Sequence, residues 1–249
     1  MTEQERERAI RLRLARMGEP PAAPAMTSGF AALDAALGTG GFPRGSVVEL
    51  FGASSTGKTT LGLQMIAHAQ SDGLSAAWID AEHAFDPAYA AVLGVAIDRL
   101  PVANPESAEQ AIEMIRQLAA SQAVDLVVVD SAAALTPRLE LETGMGEGGR
   151  GLQSRVLASG LRNVAGMVAR TGTVVVFLNQ LRSRPETLRE EPETTAGGPA
   201  LKLYAAVRIS LDARSAGRVR FRVLKNKAAA AFGEGDLHYK HGQGFLKSP

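Results

Sequence analysis

The sequence contains no cysteine, few aromatic residues and no long hydrophobic run. Without cysteine, disulfides, Cys-ligated zinc and thiol catalysis are all excluded. Aromatic residues make up only 5% of the chain, whereas glycine (26 residues) and alanine are plentiful, which favours an α/β fold over an aromatic-rich all-β fold. The longest apolar runs, near 126–129 and 173–178, are much shorter than the roughly 20 residues that a membrane-spanning helix needs.

The chain also has little net charge. It carries 27 Lys and Arg against 26 Asp and Glu, a formal charge of +1, so net charge alone does not require a nucleic-acid partner. The N-terminal segment is charged throughout and lacks the apolar stretch of a signal peptide, and we therefore expect a soluble, cytoplasmic protein. With 249 residues, 45% of them hydrophobic, the chain is long enough to bury a core.

We divide the chain into an N-terminal segment, 1–26, and a core, 27–249. Residues 2–17 are predicted to form a short helix with one apolar stripe, and the proline-rich stretch 18–24 is typical of a semi-rigid linker. Two interpretations of the helix are open. It is either a solvated helix with internal ion pairs or a helix that docks on a neighbouring subunit, which makes 1–26 a candidate oligomerisation segment.

From about residue 27 onwards, apolar strands alternate with helices. The predicted strands are 47–51, 76–80, 124–130 and 173–180, and the predicted helices are 59–70, 106–121 and 151–171. Continuous apolar strands separated by helices indicate an α/β fold with a mostly parallel central sheet, flanked by helices on both faces. Residues 206–211 and 219–224 predict a C-terminal antiparallel hairpin that closes the sheet edge. The polar segments 140–151 and 181–198 predict two long loops, of a length that is usually functional or mobile.

The C-terminal part of the chain is basic. Residues 201–249 contain ten basic and three acidic residues, a net charge of +7, so this stretch is a candidate anion-binding surface. A solvated basic face is the alternative. His238 and His241 are spaced like metal ligands but have no third partner in the sequence nearby, so we expect a structural or surface role for them.

Residues 52–59, GASSTGKT, fit the phosphate-binding pattern G-x-x-x-x-G-K-[ST] between a predicted strand and a predicted helix. The glycines let the backbone wrap tightly, so that several N–H groups converge on phosphate oxygens at a helix N-terminus. In this pattern the lysine reaches the β- and γ-phosphates, and the threonine hydroxyl is a magnesium ligand. The pattern therefore predicts a nucleoside triphosphate site with a catalytic Lys58 and a metal ligand at Thr59. Its residues are Gly52, Ser54, Ser55, Thr56, Gly57, Lys58, Thr59 and Thr60.

Three other strands deliver polar side chains to the same sheet edge. Asp130 ends LVVVD, the place of an acid that orients magnesium, so Asp130 is a predicted metal ligand and Asp130 and Ser131 are predicted cofactor contacts. Glu82 and Gln180 follow the tips of two further strands, where ligands of open parallel sheets bind. Glu82 is a candidate to polarise the attacking water, and Gln180 a candidate to sense the γ-phosphate. A helix cap or a loop hydrogen bond is the alternative for each.

These elements, taken in order, resemble the bacterial RecA recombinase family. The matching stretches are TSGFAALDAALGTGGFPRGSVVELFGASSTGKTTL (27–61), IDAEHAFDPAYAAVLGV (79–95), VVVDSAAALTPRLELE (127–142), FLNQLR (177–182), PETTAGGPALKLYAAVR (192–208) and LKNKAAAAF (224–232). The resemblance covers about 27–232 and implies a RecA-type P-loop core with ATP and Mg²⁺ as cofactors. It also implies that Glu82 is the catalytic glutamate and Gln180 the γ-phosphate sensor.

The resemblance assigns further residues to the nucleotide. Asp86 and Tyr89 match positions that contact the adenine base. Lys225 and Lys227 match a lysine pair that reaches the ATP of the neighbouring subunit across a filament interface, and they are therefore candidate catalytic residues. A site clamped by two protomers couples ATP turnover to assembly.

The segments 143–151 and 181–198 resemble the two DNA-binding loops of the family. Guanidinium groups and loop N–H groups bind phosphates without reading sequence. The resemblance thus implies single-stranded DNA as a partner, duplex DNA as a further candidate, and a homo-oligomeric filament. The residues at or near the DNA-binding positions are Arg150, Gly151, Arg155, Arg162, Arg182, Arg184, Gly197 and Gly198.

The chain departs from the family in three respects. It stops shortly after the lysine pair, so we expect the separate C-terminal domain to be absent. Leu203 stands where the family usually has an aromatic residue at the subunit interface. The second loop reads RSRPETLREE where the family has an apolar stretch, so the strength of the filament and strand exchange are open.

Two hypotheses follow. The first is an ATP-dependent, single-stranded-DNA-binding recombinase, a DNA-dependent ATPase acting in homologous recombination and repair. The second is a RecA-like regulatory or accessory paralogue in the DNA-damage response, which binds ATP without exchanging strands. A hexameric helicase or a small-molecule kinase is disfavoured by the DAEHAFDP and PETTAGG matches.

Overall fold

The computed structural model of the protein describes residues 2, 4–8, 24–143, 151–183, 193–215 and 217–247. Residues 4–8 form the described helix α1. The other helices are α2 (Ala31–Leu37), α3 (Lys58–Ser71), α4 (Pro87–Val92), α5 (Ala108–Ala120), α6 (Arg138–Glu142), α7 (Leu152–Thr171) and α8 (Ala200–Tyr204). The strands are β1 (Val47–Gly52), β2 (Ala76–Asp80), β3 (Val102–Ala103), β4 (Leu126–Asp130), β5 (Val174–Ser183), β6 (Glu193–Thr195), β7 (Val207–Ser215), β8 (Arg218–Asn226), β9 (Glu234–Lys240) and β10 (Gly244–Phe245).

Nine of the strands form one continuous sheet. Their order is β10-β9-β8-β7-β1-β5-β4-β2-β3, and β6 pairs with β5 off this path. All pairings from β7 to β3 are parallel, whereas β7, β8, β9 and β10 pair in antiparallel fashion. The α/β class, the mostly parallel sheet and the C-terminal antiparallel hairpin are therefore confirmed.

Two apolar clusters cover the two faces of the sheet. Helices α2 and α3 pack on one face, where Val48 and Leu50 of β1 are buried. Helices α5, α7 and α8 pack on the other face, against Val47 of β1. In α7 the buried residues recur at helical spacing, as Leu157, Leu161, Val164 and Val168. Because β1 lies between two strands and two helical layers, all six of its residues are buried.

Two expectations about the edge and the loops are wrong. The hairpin of β7 and β8 does not close the sheet edge, because β9 and β10 add two strands beyond it. The segment 181–198 is not a loop throughout. Strand β5 extends to Ser183 and pairs with β6, with Leu181 opposite Thr195. These strands were not predicted because the residues of this segment are polar and do not form an apolar run.

The last residues of the N-terminal segment pack against the core. Met26 is buried and exchanges backbone hydrogen bonds with Phe42 (2.7 and 2.8 Å). Most of the predicted helix and linker, 9–23, lies outside the described residues. No helix in the described part of the chain is long and apolar enough to cross a membrane.

Candidate active site

A cavity of about 660 Å³ lies at the carboxyl ends of the central strands. Residues 54–60 form its floor, between β1 and α3. Glu82 follows β2, Asp130 ends β4 and Gln180 lies on β5, and all three line the cavity. The structure thus brings together the four chain segments that sequence motifs assigned to one site.

The floor of the cavity is a tight turn that leads into α3. Gly57 has a left-handed φ of 84° at the N-cap of this 14-residue helix, a conformation that glycine adopts without strain. A Cβ on Gly52 would collide with the carbonyl oxygen of Leu211 in β7. Both glycines are therefore required by backbone geometry, and the N–H groups of the first turn of α3 face the cavity as an anion site.

Lys58 lies folded back onto this turn. Its Nζ donates to the carbonyl oxygens of Gly52 (3.2 Å) and Ala53 (2.7 Å). Burial lowers the pKa of Lys58, while the charges of Asp130 and Glu82 oppose that shift. The ammonium is positioned at the cavity floor, where a phosphate group would meet it.

Thr59 and Asp130 form the oxygen pair predicted to hold a metal. The Thr59 hydroxyl donates to Oδ2 of Asp130 at 2.7 Å. Burial raises the pKa of Asp130 to about 6, and the hydrogen bond from Thr59 opposes this rise. No cluster of three or more His, Cys, Asp or Glu side chains that could hold a metal exists in the part of the chain that the structure describes. One hydroxyl and one carboxylate fit Mg²⁺, which keeps several waters and uses substrate phosphates as ligands.

Glu82 is held between two donors. The hydroxyl of Ser131 and Nε2 of Gln180 (3.3 Å) both donate to its Oε1. Its backbone N–H donates to the carbonyl of Asp130 (3.1 Å), which fixes the turn after β2. A carboxylate oriented in this way, with its second oxygen free of these contacts, is suited to accept a proton from water.

Asp80, at the end of β2, shapes the turn that carries Glu82. Its two carboxylate oxygens accept hydrogen bonds from the N–H groups of Ala84 (3.2 Å) and Phe85 (2.9 Å). Asn104 approaches the same carboxylate at 3.5 Å and also contacts Nδ1 of His83 at 3.3 Å. This buried carboxylate is a structural support of the site that no motif pointed to.

Residues 12–246 match the family described as the RecA N-terminal domain. The chain belongs to the RecA family. Among similar proteins, the Protein RecA of Chlorobium chlorochromatii is 46% identical over an alignment of 241 positions, which covers 92% of this chain and 68% of that protein. The Protein RecA of Salinispora tropica is 44% identical over an alignment of 268 positions, which covers 98% of this chain and 76% of that protein. The Protein RecA of Thioalkalivibrio sulfidiphilus is 46% identical over an alignment of 246 positions, which covers 93% of this chain and 71% of that protein.

Membership of the RecA family confirms the RecA-type fold predicted from the sequence. ATP-dependent recombination and repair of DNA is the general function of this family, which uses ATP and Mg²⁺.

Asp86 and Tyr89, assigned to the base by the RecA resemblance, do not line the cavity themselves. Asp86 caps α4, its Oδ1 accepting from the N–H groups of Ala88 (2.9 Å) and Tyr89 (3.1 Å). The Tyr89 hydroxyl lies 2.8 Å from Oγ1 of Thr60, which does line the cavity. Tyr89 therefore lies directly behind the cavity wall, and the contact of Asp86 and Tyr89 with a base stays a prediction.

Sequence reasoning missed the wall that the C-terminal strands supply. Its residues are Ala213, Ser215, Gly217, Arg218, Val219, Tyr239 and Phe245. The ring of Phe245 lies so close to Gly57 that a Cβ there would approach its Cζ to 2.6 Å. Burial and the neighbouring Tyr89 raise the pKa of Tyr239. No motif marks these residues, because strands β9 and β10 have no apolar run and belong to the site only through the fold.

Neither lysine of the predicted pair lines the cavity. Lys225 is half-buried on β8, and its Nζ donates to the carbonyls of Lys202 (2.7 Å) and Leu203 (3.0 Å) at the end of α8. Burial lowers the pKa of Lys225, and the positive charges of Lys227 and Arg208 lower it further. Lys227 is exposed at the turn after β8.

The predicted DNA contacts are spread over several elements. Gly197 and Gly198 have left-handed φ values of 79° and 73° and pack against the first turns of α7, where Arg155 is exposed. Arg162 lies two turns further along α7 and donates to the hydroxyl of Tyr204 (3.3 Å). Gly151 is the N-cap of α7, and the backbone of Arg182 pairs with Thr194. Arg150 and Arg184 lie outside the described residues.

Several arginines of the basic C-terminal stretch form ion pairs with acidic residues of the same stretch. Arg218 pairs with Asp236 (2.6 Å) and Arg220 with Glu234 (2.7 Å) across β8 and β9. Arg214 pairs with Asp212 at 2.8 Å. Each of the three acidic residues of this stretch pairs with an arginine, which partly neutralises these guanidinium groups, and the anion-binding surface stays a prediction.

Proposed function

We propose that this RecA-family protein is a recombinase that binds single-stranded DNA and hydrolyses ATP to ADP and phosphate in a DNA-dependent manner. The observation that carries the proposal is the Glu82 carboxylate, held by Ser131 and Gln180 in the cavity that also contains Lys58. A P-loop, an oriented base and a phosphate sensor are together the parts that nucleotide hydrolysis needs.

In this proposal the phosphates of ATP lie on the N–H groups at the start of α3, with Lys58 beside the β- and γ-phosphates. Mg²⁺, held by Thr59 and Asp130, would neutralise charge on the phosphate oxygens. Glu82 accepts a proton from the attacking water as the oxygen of that water bonds to the γ-phosphorus and the bond to ADP breaks. Gln180 donates to the γ-phosphate and releases its hydrogen bond to Glu82.

We propose that assembly completes the site. Lys225 and Lys227 do not line the cavity of their own protomer, which supports a role in the cavity of a neighbour in a homo-oligomeric filament. Two cations brought to the γ-phosphate from outside would stabilise the charge that develops in the transition state. In this proposal, DNA raises the rate because it aligns protomers.

The DNA is proposed to lie along the N-terminal turns of α7. Arg155, Gly197 and Gly198 meet there, and Arg162 is exposed further along the same helix. With residues of 143–151 and 181–198, including Arg150, Arg182 and Arg184, these groups would bind phosphates without reading bases. Duplex DNA remains a further proposed partner.

The organisation of the chain is proposed as it was predicted. Residues 1–26 are the proposed oligomerisation segment, and 27–249 the proposed ATPase core. A cytoplasmic location is part of the same proposal.

The decisive experiment is ATP hydrolysis with and without single-stranded oligo(dT), at low and at moderate salt. We expect a large stimulation that declines with salt, because phosphate contacts release counterions. The Lys58→Ala variant is the control, since activity that survives this change does not come from the site. A flat rate with intact ATP binding would contradict a DNA-dependent enzyme.

An accessory paralogue that binds ATP without exchanging strands is the second candidate. The observation that favours it is Leu203, which is 65% exposed on α8 and supplies less contact area than an aromatic residue would. Electron microscopy with single-stranded DNA and a slowly hydrolysed ATP analogue separates the two. Long filaments support the recombinase, whereas monomers or dimers support the paralogue.

A further inference from the structure

A charged side chain lies fully buried in the central strand of the sheet. Glu49 is 0% exposed, and its neighbours in β1 are apolar. Both of its oxygens are used. Oε2 accepts from Nε of Arg208 at 2.5 Å, and Oε1 accepts from Nδ2 of Asn179 at 2.8 Å. The catalytic proposal above does not use Glu49.

Asn179 connects Glu49 to the γ-phosphate sensor and to the end of the second loop. Its Oδ1 accepts from the N–H of Gln180 (2.8 Å), and its Nδ2 also donates to the carbonyl of Ala196 (3.0 Å). The N–H of Ala196 in turn donates to the carbonyl of Gln180 (3.0 Å). Ala196 follows β6, so the stem of the second loop is joined to Glu49 through one buried amide.

Arg208 connects Glu49 to Lys225 on the other side. Arg208 lies in β7, where it pairs with Glu49 of β1 on one side and with Lys225 of β8 on the other. Its guanidinium carbon lies 4.7 Å from the ring centre of Phe51, which fixes its direction. Lys225 reaches the carbonyls at the end of α8, the helix that follows Ala196. Glu49, Arg208 and Lys225 therefore form a row across three strands, and this row connects the stem of the second loop with the lysine pair.

We propose that the buried Glu49–Arg208 ion pair is a positioning element, which couples the contact of Gln180 with the γ-phosphate to the stem of the second loop and to Lys225. This inference rests on the proposed function. A displacement of Gln180 towards a phosphate moves the amide of Asn179, and Glu49 passes that movement to Arg208. The pair touches neither the cavity nor the proposed DNA surface, so it acts only through other residues.

A buried ion pair is a poor source of stability, because desolvation offsets most of its attraction. Replacing both partners with apolar residues of similar length often leaves stability unchanged or raised, whereas removing one partner leaves a buried charge unpaired. The double variant Glu49→Met/Arg208→Met removes both charges but also one acceptor of Asn179, so its urea unfolding is measured alongside to separate coupling from folding. The control is Arg220→Met/Glu234→Met, a more exposed ion pair between β8 and β9.

The test has two readouts, DNA-stimulated hydrolysis and hydrogen–deuterium exchange at the amides of 194–196 with and without a slowly hydrolysed ATP analogue. In the unsubstituted protein we expect the analogue to slow exchange at these amides without DNA. In the Glu49→Met/Arg208→Met variant we expect that protection to vanish and the DNA stimulation to fall at least tenfold, with the Kd for ATP within twofold of normal. The control variant should retain both responses.

Each outcome decides the inference. If the Glu49→Met/Arg208→Met variant keeps the protection and the stimulation, the pair is structural only and the inference is overturned. Absence of protection in the unsubstituted protein also overturns it. If the unsubstituted protein shows no DNA stimulation, the proposed function fails, while the exchange measurement, which contains no DNA, still tests the coupling.

Discussion

Gln180 donates a hydrogen bond to Oε1 of Glu82 over 3.3 Å, joining two side chains that are 98 residues apart in the chain. Ser131 donates to the same oxygen. The contact makes the position of the carboxylate depend on where the amide of Gln180 lies. A γ-phosphate that attracts the amide would release Glu82 towards the water, so the two residues are predicted to act as one unit.

The first prediction concerns Glu82→Gln. The amide keeps the size of the side chain but cannot accept a proton, so we expect hydrolysis to fall about 100-fold or more, in line with the loss of a general base. ATP affinity should change little, because Lys58 and the N–H groups of α3 supply most of the binding. Phosphate release and nucleotide titration measure the two quantities. The exposed Glu106→Gln is the control, and a loss of affinity that matched the loss of rate would argue for a binding role.

The second prediction concerns Lys225→Ala. We expect nearly normal ATP binding and the loss of DNA-stimulated hydrolysis, because the ammonium is absent from the cavity of its own protomer. Lys240→Ala, on the exposed side of β9, should behave like the unsubstituted protein. Loss of ATP binding in Lys225→Ala would contradict a role across the interface.

Mixing variants tests the same prediction more sharply. In the proposed head-to-tail assembly each site would take Glu82 from one protomer and Lys225 from the next. Equal amounts of Glu82→Gln and Lys225→Ala should therefore regain about a quarter of the stimulated activity, since about a quarter of random neighbours combine both intact groups. If both residues serve the same protomer, the mixture stays inactive.

The chemistry of the site was predictable from the sequence to the extent that it lies in contiguous motifs at strand ends. Lys58, Thr59 and Asp130 belong to such motifs, and parallel strands with a shared edge bring them together. For Glu82 and Gln180 the residues alone did not decide between a functional role and a helix cap or loop hydrogen bond. The structure brings both into the cavity, because β2 and β5 flank β4 in the sheet.

The rest of the site was not predictable because its residues act through tertiary contacts. Phe245 lies far from the P-loop in sequence and reaches Gly57 only through tertiary contacts, since β10 is hydrogen-bonded to Gln64 of α3. Glu49 did carry a signal, a polar residue within an otherwise apolar strand, but that signal does not say which partner it meets. Asn179 stands at the start of the polar end of β5 and carried no such signal. The strands of the second loop and β9 were missed because their residues are polar.

The third prediction concerns Phe245, which braces the P-loop. Gln64 of α3 binds both backbone groups of Phe245, its Nε2 donating to the carbonyl (2.9 Å) and its Oε1 accepting from the N–H (2.8 Å). The ring of Phe245 then lies against Gly57 and makes an edge contact with Phe30, with centroids 6.3 Å apart. The last strand thereby supports the turn that binds phosphate.

For Phe245→Ala we expect the protein to lose about 3–5 kcal/mol of unfolding free energy, as for other buried phenylalanines. We also expect the Kd for ATP to rise about tenfold at a temperature where the variant is folded, because a P-loop without its support must be ordered by the ligand. Phe42→Ala is the matched control, a buried phenylalanine of the same cluster that does not line the cavity. Equal Kd values for the two variants would exclude the brace.

The fourth prediction concerns the stability of the protein without nucleotide or magnesium between pH 4 and 7. Burial raises the pKa of Asp130 from 3.8 to about 6, so the folded state holds this proton more tightly than the unfolded state. Stability is then lost as pH rises from about 4 to about 6, because ionisation is penalised only in the fold. A shift of this size corresponds to about 3 kcal/mol, as an order of magnitude.

Asp130→Asn imitates the protonated side chain at every pH. Urea unfolding should therefore give equal stabilities for the Asp130→Asn variant and the unsubstituted protein near pH 4, and a variant that is more stable by about 3 kcal/mol near pH 7. Asp98→Asn, on an exposed turn, should show no such trend. A difference that does not change with pH would mean that Asp130 is ionised throughout this range in the folded protein, held by the hydrogen bond from Thr59 despite its burial.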